Sequence, residues 1–299
     1  MHVVEKFLLE NHIEYSTDVL FKDITSFKIG GPADLVVYPN SAVLTAKVVN
    51  FCRQNNIKYY TLGKCSNILV KDNGIRGVII KTDKLNEICL NERGVFEFGA
   101  GVSMSKAANF AFENSCCGME FAQGIPGSIG GAVYMNAGAY DGCMADIVLA
   151  TEYVDDKGGI HILDNEKHDF SYRHSFFSDK PFIITKTYVN LKAGQPAEIY
   201  SKMQDYKARR KEKQPLEYPS AGSVFKRPKG HYAGQLIENS GLKGCKIGGA
   251  MVSTKHCGFI INEDNASADD VIQLIDHIKK TVYNKQKVDL ECEIKIMGE

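Results

Sequence analysis

The sequence predicts an α+β protein built in three lobes, and three observations carry that prediction. Helical and strand-like hydrophobic periods alternate over residues 1–62, and short strand-like runs separated by glycine turns fill the middle. Helices and strands mix again after Pro215 and Pro219. A chain of 299 residues also exceeds the usual size of one domain. The expected lobes are 1–62, an α/β unit; 63–194, a mostly antiparallel sheet; and 195–299, a second α/β unit.

In the first lobe Val4, Phe7 and Leu8 recur at helical spacing, so the chain opens on an amphipathic helix. A turn at Gly30, Gly31 and Pro32 leads into a strand from Asp34 to Tyr38. Ser41 is an N-cap candidate for a helix whose apolar face is Val43, Leu44, Val48, Phe51 and Cys52, and IKYYTL follows as a strand.

The stretch GKCSNILVKDNGIRGVII, residues 63–80, admits two readings. A strand running into Gly63, Ser66 and Asn67 offers bare amides to a phosphate. Alternatively these are turn residues, and Asn73 and Gly74 join ILVKD to GVIIKTD as a hairpin. Neither GK[ST] nor GxGxxG is present.

The strands EICLN and VFEFGAG, the helix SKAANFAFEN and the antiparallel strands DIVLATEYVDD, IHIL and FIITKTYVNL complete the second lobe. A basic helix runs from Pro196 to Gln214, and the third lobe adds the helices HYAGQLIENS and ADDVIQLIDHIKKTVYNKQ and a closing strand LECEIKIMG.

Composition narrows the function. Lysine plus arginine and aspartate plus glutamate both number 36, which argues against a nucleic-acid footprint or a membrane-surface patch and makes a small molecule the expected partner. Nine cysteines without a CxxC pair read as reduced thiols, and His256, Cys257 and Cys245 match no zinc spacing, so no metal is expected. The N-terminal MHVVEKFLLENHIEY has no signal-peptide pattern, so a cytoplasmic, soluble protein is expected, with a monomer as the default.

The stretch GIPGSIGGAVYMNAGAY, residues 124–140, holds five glycines and three alanines and no charge. Pro126 fits the first position of a helix and Ser128 can serve the same turn, which would leave amides directed outward. On a helical path Gly124, Gly127 and Gly130 form a strip free of Cβ atoms, open to a planar or polyanionic ligand. Close packing of two structural elements is the other reading of the same glycines.

Taken in order, TSFKIGGPADLVVYP, GKCSNILV, GIPGSIGGAVYMNAGAY, FSYRHSFF, AGSVFKRP and LECEIKIMG resemble the UDP-N-acetylenolpyruvoylglucosamine reductase family across nearly the whole chain. The resemblance implies a vanillyl-alcohol-oxidase (PCMH-type) FAD-binding fold over about residues 29–194, with two N-terminal lobes holding FAD and the third carrying substrate. It implies that Gly63, Lys64, Cys65, Ser66, Asn67 and Ile68, with Gly124, Ile125, Pro126, Gly127, Ser128, Gly130 and Gly131, line the cofactor. Cys65 stands where the family commonly has glycine; a position needing positive φ makes that cysteine costly by about 1 kcal/mol or somewhat more.

The resemblance further implies three chemical roles: Arg173 as the active-site arginine, Ser223 as proton donor and Glu293 as the carboxylate. Tyr172, Lys213, Lys226 and Arg227 match positions facing substrate or its phosphates. The interval from Arg173 to Ser223 is too short for the extra tyrosine-bearing segment of the longer branch, so the shorter branch is implied. The implied reaction reduces a UDP-sugar enolpyruvyl ether with NADPH through FAD, in peptidoglycan precursor synthesis. A flavin oxidase of the same fold and a non-catalytic nucleotide binder are the competing readings.

Overall fold

Val4 and Leu8, four residues apart, form the buried side of the helix His2–Glu10. In the computed structural model, which describes residues 2–178 and 180–299, this helix belongs to the first of two units. That unit takes the described residues of 1–17, 34–64 and 77–209; the second takes 18–33, 65–76 and 210–299. No helix among the described residues is long and apolar enough to cross a membrane.

A five-stranded sheet, most of whose residues belong to the first unit, is ordered Glu14–Ser16, Pro32–Tyr38, Ile75–Lys81 and Tyr59–Leu62, the last two strands being parallel, with Val19–Leu20 also paired to Pro32–Tyr38. The helix Ala42–Gln54 covers it, and its start is set by Ser41, whose hydroxyl accepts the Leu44 amide at 3.3 Å. Val43, expected on the apolar face, is 58% exposed. The buried stripe is Thr45, Ala46, Val48, Val49 and Cys52, one step round the helix.

A second, wholly antiparallel sheet runs Ile160–Asp164, Val148–Val154, Ile183–Val189, Phe96–Gly99 and Ile88–Leu90. The helices Met104–Glu113 and Ile129–Tyr134 share its core with Phe96, Phe98, Phe121 and Phe177.

The second unit is built on an antiparallel sheet ordered Ser220–Ser223, Phe259–Asn262, Ala250–Val252 and Lys246–Ile247. The helix Ala268–Gln286 lays Val271, Leu274, Ile275, Ile278 and Val282 into a core shared with Phe27, Ile29 and Leu69 from early in the chain. Ser267 and Asp270 cap that helix reciprocally. The Asp72 carboxylate accepts the amides of Ala268 at 3.0 Å and Asp269 at 3.3 Å, which anchors residues 65–76 at the positive end of the helix.

Two local expectations are corrected. Asn73 and Gly74 do not close a hairpin. Ile68–Val70 is buried at every position and takes its ladder, in parallel, from Lys295–Met297, while Ile75–Lys81 joins the sheet of the first unit. The closing strand is also shorter than LECEIKIMG, covering Lys295–Met297. Before it, Cys292 makes a single bridge with Phe225, flanked by Glu293 N to Val224 O at 2.8 Å and Lys226 N to Glu291 O at 2.9 Å. The next donor along that edge would be Pro228, which has no N–H to give.

Candidate active site

Arg173 stands on a two-residue turn closed by mutual backbone bonds between Ser171 and His174, each 3.2 Å. Its φ is +57°, a left-handed conformation that costs a side-chain-bearing residue about 1–2 kcal/mol, so the surroundings must hold it. Asn136 does so: its side-chain amide donates to Ser171 O at 3.0 Å while its oxygen accepts the Ala145 amide at 3.0 Å. Ser175 Oγ donates to Tyr134 O at 2.8 Å, and the Tyr134 hydroxyl donates to Ser178 O at 2.6 Å. The end of the glycine-rich stretch is thereby tied to the arginine turn. The guanidinium lies 5.1 Å from the ring centre of Tyr172, which is itself exposed.

The glycine-rich stretch departs from the expected helix start. Pro126 lies ahead of the helix, Ser128 is the N-cap, and Gly124 (φ +77°) and Gly127 (φ +148°) are not helical, so the three glycines form no helical strip. The first helical amides are also taken internally: Ile129 N by Val102 O at 2.8 Å, Gly130 N by Ala100 O at 2.9 Å and Gly131 N by Ser128 Oγ at 3.4 Å. What remains is the loop before the helix, where the amides of Gly127 and Ser128 have no protein acceptor among the described residues. Ile125, beside them, packs against the core of the second sheet.

Gly63 meets this loop directly. A Cβ there would lie 2.5 Å from Ser128 Oγ, so only glycine lets the two loops touch. Bare main chain from two loops in contact suits a ligand that presents phosphate oxygens and a flat ring, and this is the fit expected of FAD. Lys64 is exposed and pairs with Asp83 at 2.8 Å.

Cys65 has φ +54° and is buried, so the position does require the conformation in which glycine costs least. Ser66 is half-buried and Ile68 starts the parallel strand pair. Asn67 bonds both ways to the closing segment: its side-chain amide reaches Glu293 O at 3.3 Å and its carbonyl accepts Lys295 N at 3.0 Å.

Val224, the residue after Ser223, ties the segment of Glu293 to that of Ser223: its carbonyl accepts Glu293 N at 2.8 Å and its amide donates to Gly258 O at 2.9 Å. The Ser223 hydroxyl donates to Phe225 O at 3.3 Å. Beside it stands His256, which sequence reasoning had assigned no role. A Cβ at Gly258 would lie 2.9 Å from His256 Cε1, 3.1 Å from its Nδ1 and 3.5 Å from Ser223 Oγ, so glycine lets imidazole and hydroxyl flank one point. Burial pushes the His256 pKa below its ordinary 6.5, and Nδ1 accepts the Gly258 amide at 3.1 Å, as a neutral ring does.

The residues matched to substrate contacts are held differently. Lys226 is ion-paired with Glu291. Arg227 lies 4.0 Å over the ring of Tyr232 and donates from Nε to His231 O at 3.3 Å. Lys213 ends the helix Pro196–Lys213 and is exposed. Arg173, Tyr172, Gly63, Lys64 and residues 124–131 thus belong to the first unit, and Cys65 to Ile68, Lys213, Ser223, Lys226, Arg227 and Glu293 to the second.

Residues 33–164 match the FAD binding domain family, and residues 214–297 match the UDP-N-acetylenolpyruvoylglucosamine reductase C-terminal domain. Fold and loops together define a flavoprotein of the FAD-binding-domain class with an added C-terminal domain. A protein of Clostridium novyi (strain NT) named UDP-N-acetylenolpyruvoylglucosamine reductase is 47% identical over 286 residues, 96% of this chain and 93% of that one. One of the same name from Caldanaerobacter subterraneus subsp. tengcongensis is 48% identical over 92% of this chain and 91% of its own. The crystal structure of UDP-N-acetylenolpyruvylglucosamine reductase from Thermus caldophilus superimposes with a TM-score of 0.81 at 34% identity, covering 96% of this chain and 99% of that one. The chain belongs to the UDP-N-acetylenolpyruvoylglucosamine reductase family.

Proposed function

We propose that this protein is the FAD-dependent reductase that converts UDP-N-acetylglucosamine enolpyruvate to UDP-N-acetylmuramate with NADPH. It acts as a cytoplasmic monomer in peptidoglycan precursor synthesis, with residues 1–62 and 63–194 holding the cofactor and 195–299 the sugar nucleotide. The observation that supports the reading is the backbone bond from Glu293 N to the carbonyl of Val224, the residue after Ser223, which ties the closing segment to the segment that bears the serine.

The cofactor, when bound, supplies hydride chemistry. The main chain of Gly63–Ile68 and Gly124–Gly131 would hold it, with the Gly127 and Ser128 amides available as donors. Addition of hydride to the carbon β to the carboxylate leaves negative charge on that carboxylate and calls for a proton at the α carbon. Arg173 answers the first need with a permanent cation whose planar fork matches a carboxylate, a stabilisation that is typically the largest single contribution in a closed site. Ser223 answers the second by releasing its hydroxyl from the Phe225 carbonyl and donating to the α carbon. Glu293 orients that proton and helps restore it. Tyr172, Lys213, Lys226 and Arg227 receive the nucleotide end, Lys226 exchanging its Glu291 partner for phosphate.

An absorbance spectrum of the purified protein and a stopped-flow trace test this reading. A flavin spectrum bleached by NADPH and restored by the enolpyruvyl sugar nucleotide is expected. A colourless chain that takes up no FAD, or a reduced flavin indifferent to the sugar nucleotide, overturns it.

A further inference from the structure

The two loops proposed to hold the FAD diphosphate contain almost no side-chain charge, yet a buried ammonium lies directly beneath them. Lys81 ends the strand Ile75–Lys81 opposite Leu62, and its side chain is only 6% exposed. It donates to the carbonyl of Gly63, the residue that touches Ser128. It also pairs with Asp83 Oδ2 at 3.0 Å, and the other oxygen of that carboxylate holds Lys64 at 2.8 Å. Thr82, between them, lies against the same glycine: its Oγ1 would be 3.8 Å from a Cβ on Gly63.

Two physical consequences follow. In a trans peptide the C=O and the N–H that follows it point in opposite directions, so drawing the Gly63 oxygen onto Lys81 aims the Lys64 amide away from the buried lysine. That amide has no protein acceptor among the described residues. Charge is the second consequence. Burial pushes the Asp83 carboxyl up, but the bond to Lys64 and the charge and bond of Lys81 outweigh it and hold the pKa below 3.8, so the carboxylate is ionised at neutral pH. The Lys81 ammonium lies under the loop contact with its side chain 6% exposed, where solvent screens its charge least, whereas Lys64 is itself 41% exposed.

We infer that Lys81, balanced by Asp83, is a positioning residue for FAD: it aims the first loop at the diphosphate and supplies the positive charge that the bare loops lack. This rests on the reading of the protein as an FAD enzyme, and the two fail separately, because a wild-type chain that takes up no FAD sinks that reading before Lys81 is tested.

The experiment measures dissociation constants of the apoprotein for FAD and for riboflavin, which has the ring without the diphosphate, by flavin fluorescence. Lys81→Met is expected to weaken FAD by about tenfold, the worth of one charge-assisted hydrogen bond, and to leave riboflavin within about twofold. Lys81→Arg, which keeps the charge, is expected to restore most of the FAD affinity. Asp83→Asn raises the local charge by one and is expected to bind FAD at least as tightly as wild type, and it reads the sign of the effect even if Lys81→Met does not fold. Unchanged FAD binding in Lys81→Met, equal losses for FAD and riboflavin, or weaker FAD binding in Asp83→Asn overturns the inference.

Discussion

Arg173 and the Ser223–Glu293 pair are secured by opposite means. The arginine rides a two-residue turn in a left-handed conformation, and Asn136 braces that turn with one side-chain amide. The serine and glutamate are fixed by ladder-type backbone bonds through Val224, and the glutamate's own carbonyl is held by the Asn67 side chain. The difference follows from what each group must do. A guanidinium stays charged at any pH of interest and is long enough to find its partner, so a strained but braced turn suffices. A hydroxyl that gives up a proton must keep its geometry within tenths of an ångström, and ladder bonds provide that.

Four substitutions break or sharpen this contrast. Ser223→Ala should have the largest effect: flavin reduction by NADPH unchanged, and transfer to the sugar nucleotide slowed by about 10²–10⁴. Equal slowing of both phases in stopped flow would remove Ser223 from the proton path. Arg173→Gln should lower kcat by about 10²–10³ while the bound-flavin spectrum stays as in wild type, since charge stabilisation is lost and cofactor contacts are not. Asn136→Ala tests the brace. It leaves the Ala145 amide without its acceptor and takes from the Ser171 carbonyl one of its two donors, the His174 amide remaining, so a stability loss of about 1–3 kcal/mol and a fall in kcat larger than any rise in KM are expected. An unchanged kcat would mean that the turn supports itself.

Cys65→Gly is the smallest. Relief of left-handed strain gains about 1–2 kcal/mol, and the added freedom of glycine in the unfolded chain takes back about 0.5–1. A net rise in stability below about 1.5 kcal/mol should appear in denaturant melts, and a clear loss would show that the thiol makes contacts worth more than the strain.

The elements were largely legible because they depend on neighbours in sequence. Ser41 before an apolar stripe caps Ala42–Gln54, and the alternating runs of the middle region became the antiparallel sheet, since period and capping are local properties. The loops at 63–68 and 124–131 were also visible as side-chain-poor stretches. The failures share one cause. Whether Gly74 turns a hairpin depends on which strand Ile68–Val70 chooses, and that partner lies more than two hundred residues away. Whether the amides after Ser128 are free depends on Ala100 and Val102, which claim them.

Lys81 ends an ordinary apolar strand and carried no signal, and His256 stood out only as a metal-ligand candidate beside Cys257, not as a neighbour of Ser223. Asn136 did carry one, since asparagine just past a short helix favours the left-handed conformation it adopts here. By itself, then, the sequence determined which segments are helix, strand or bare loop, and through its ordered motifs the family. Only the tertiary structure decided which amides stay available, which charge lies beneath Gly63 and which carbonyl holds Glu293, because long-range pairing competes for every backbone donor and local sequence does not record the outcome.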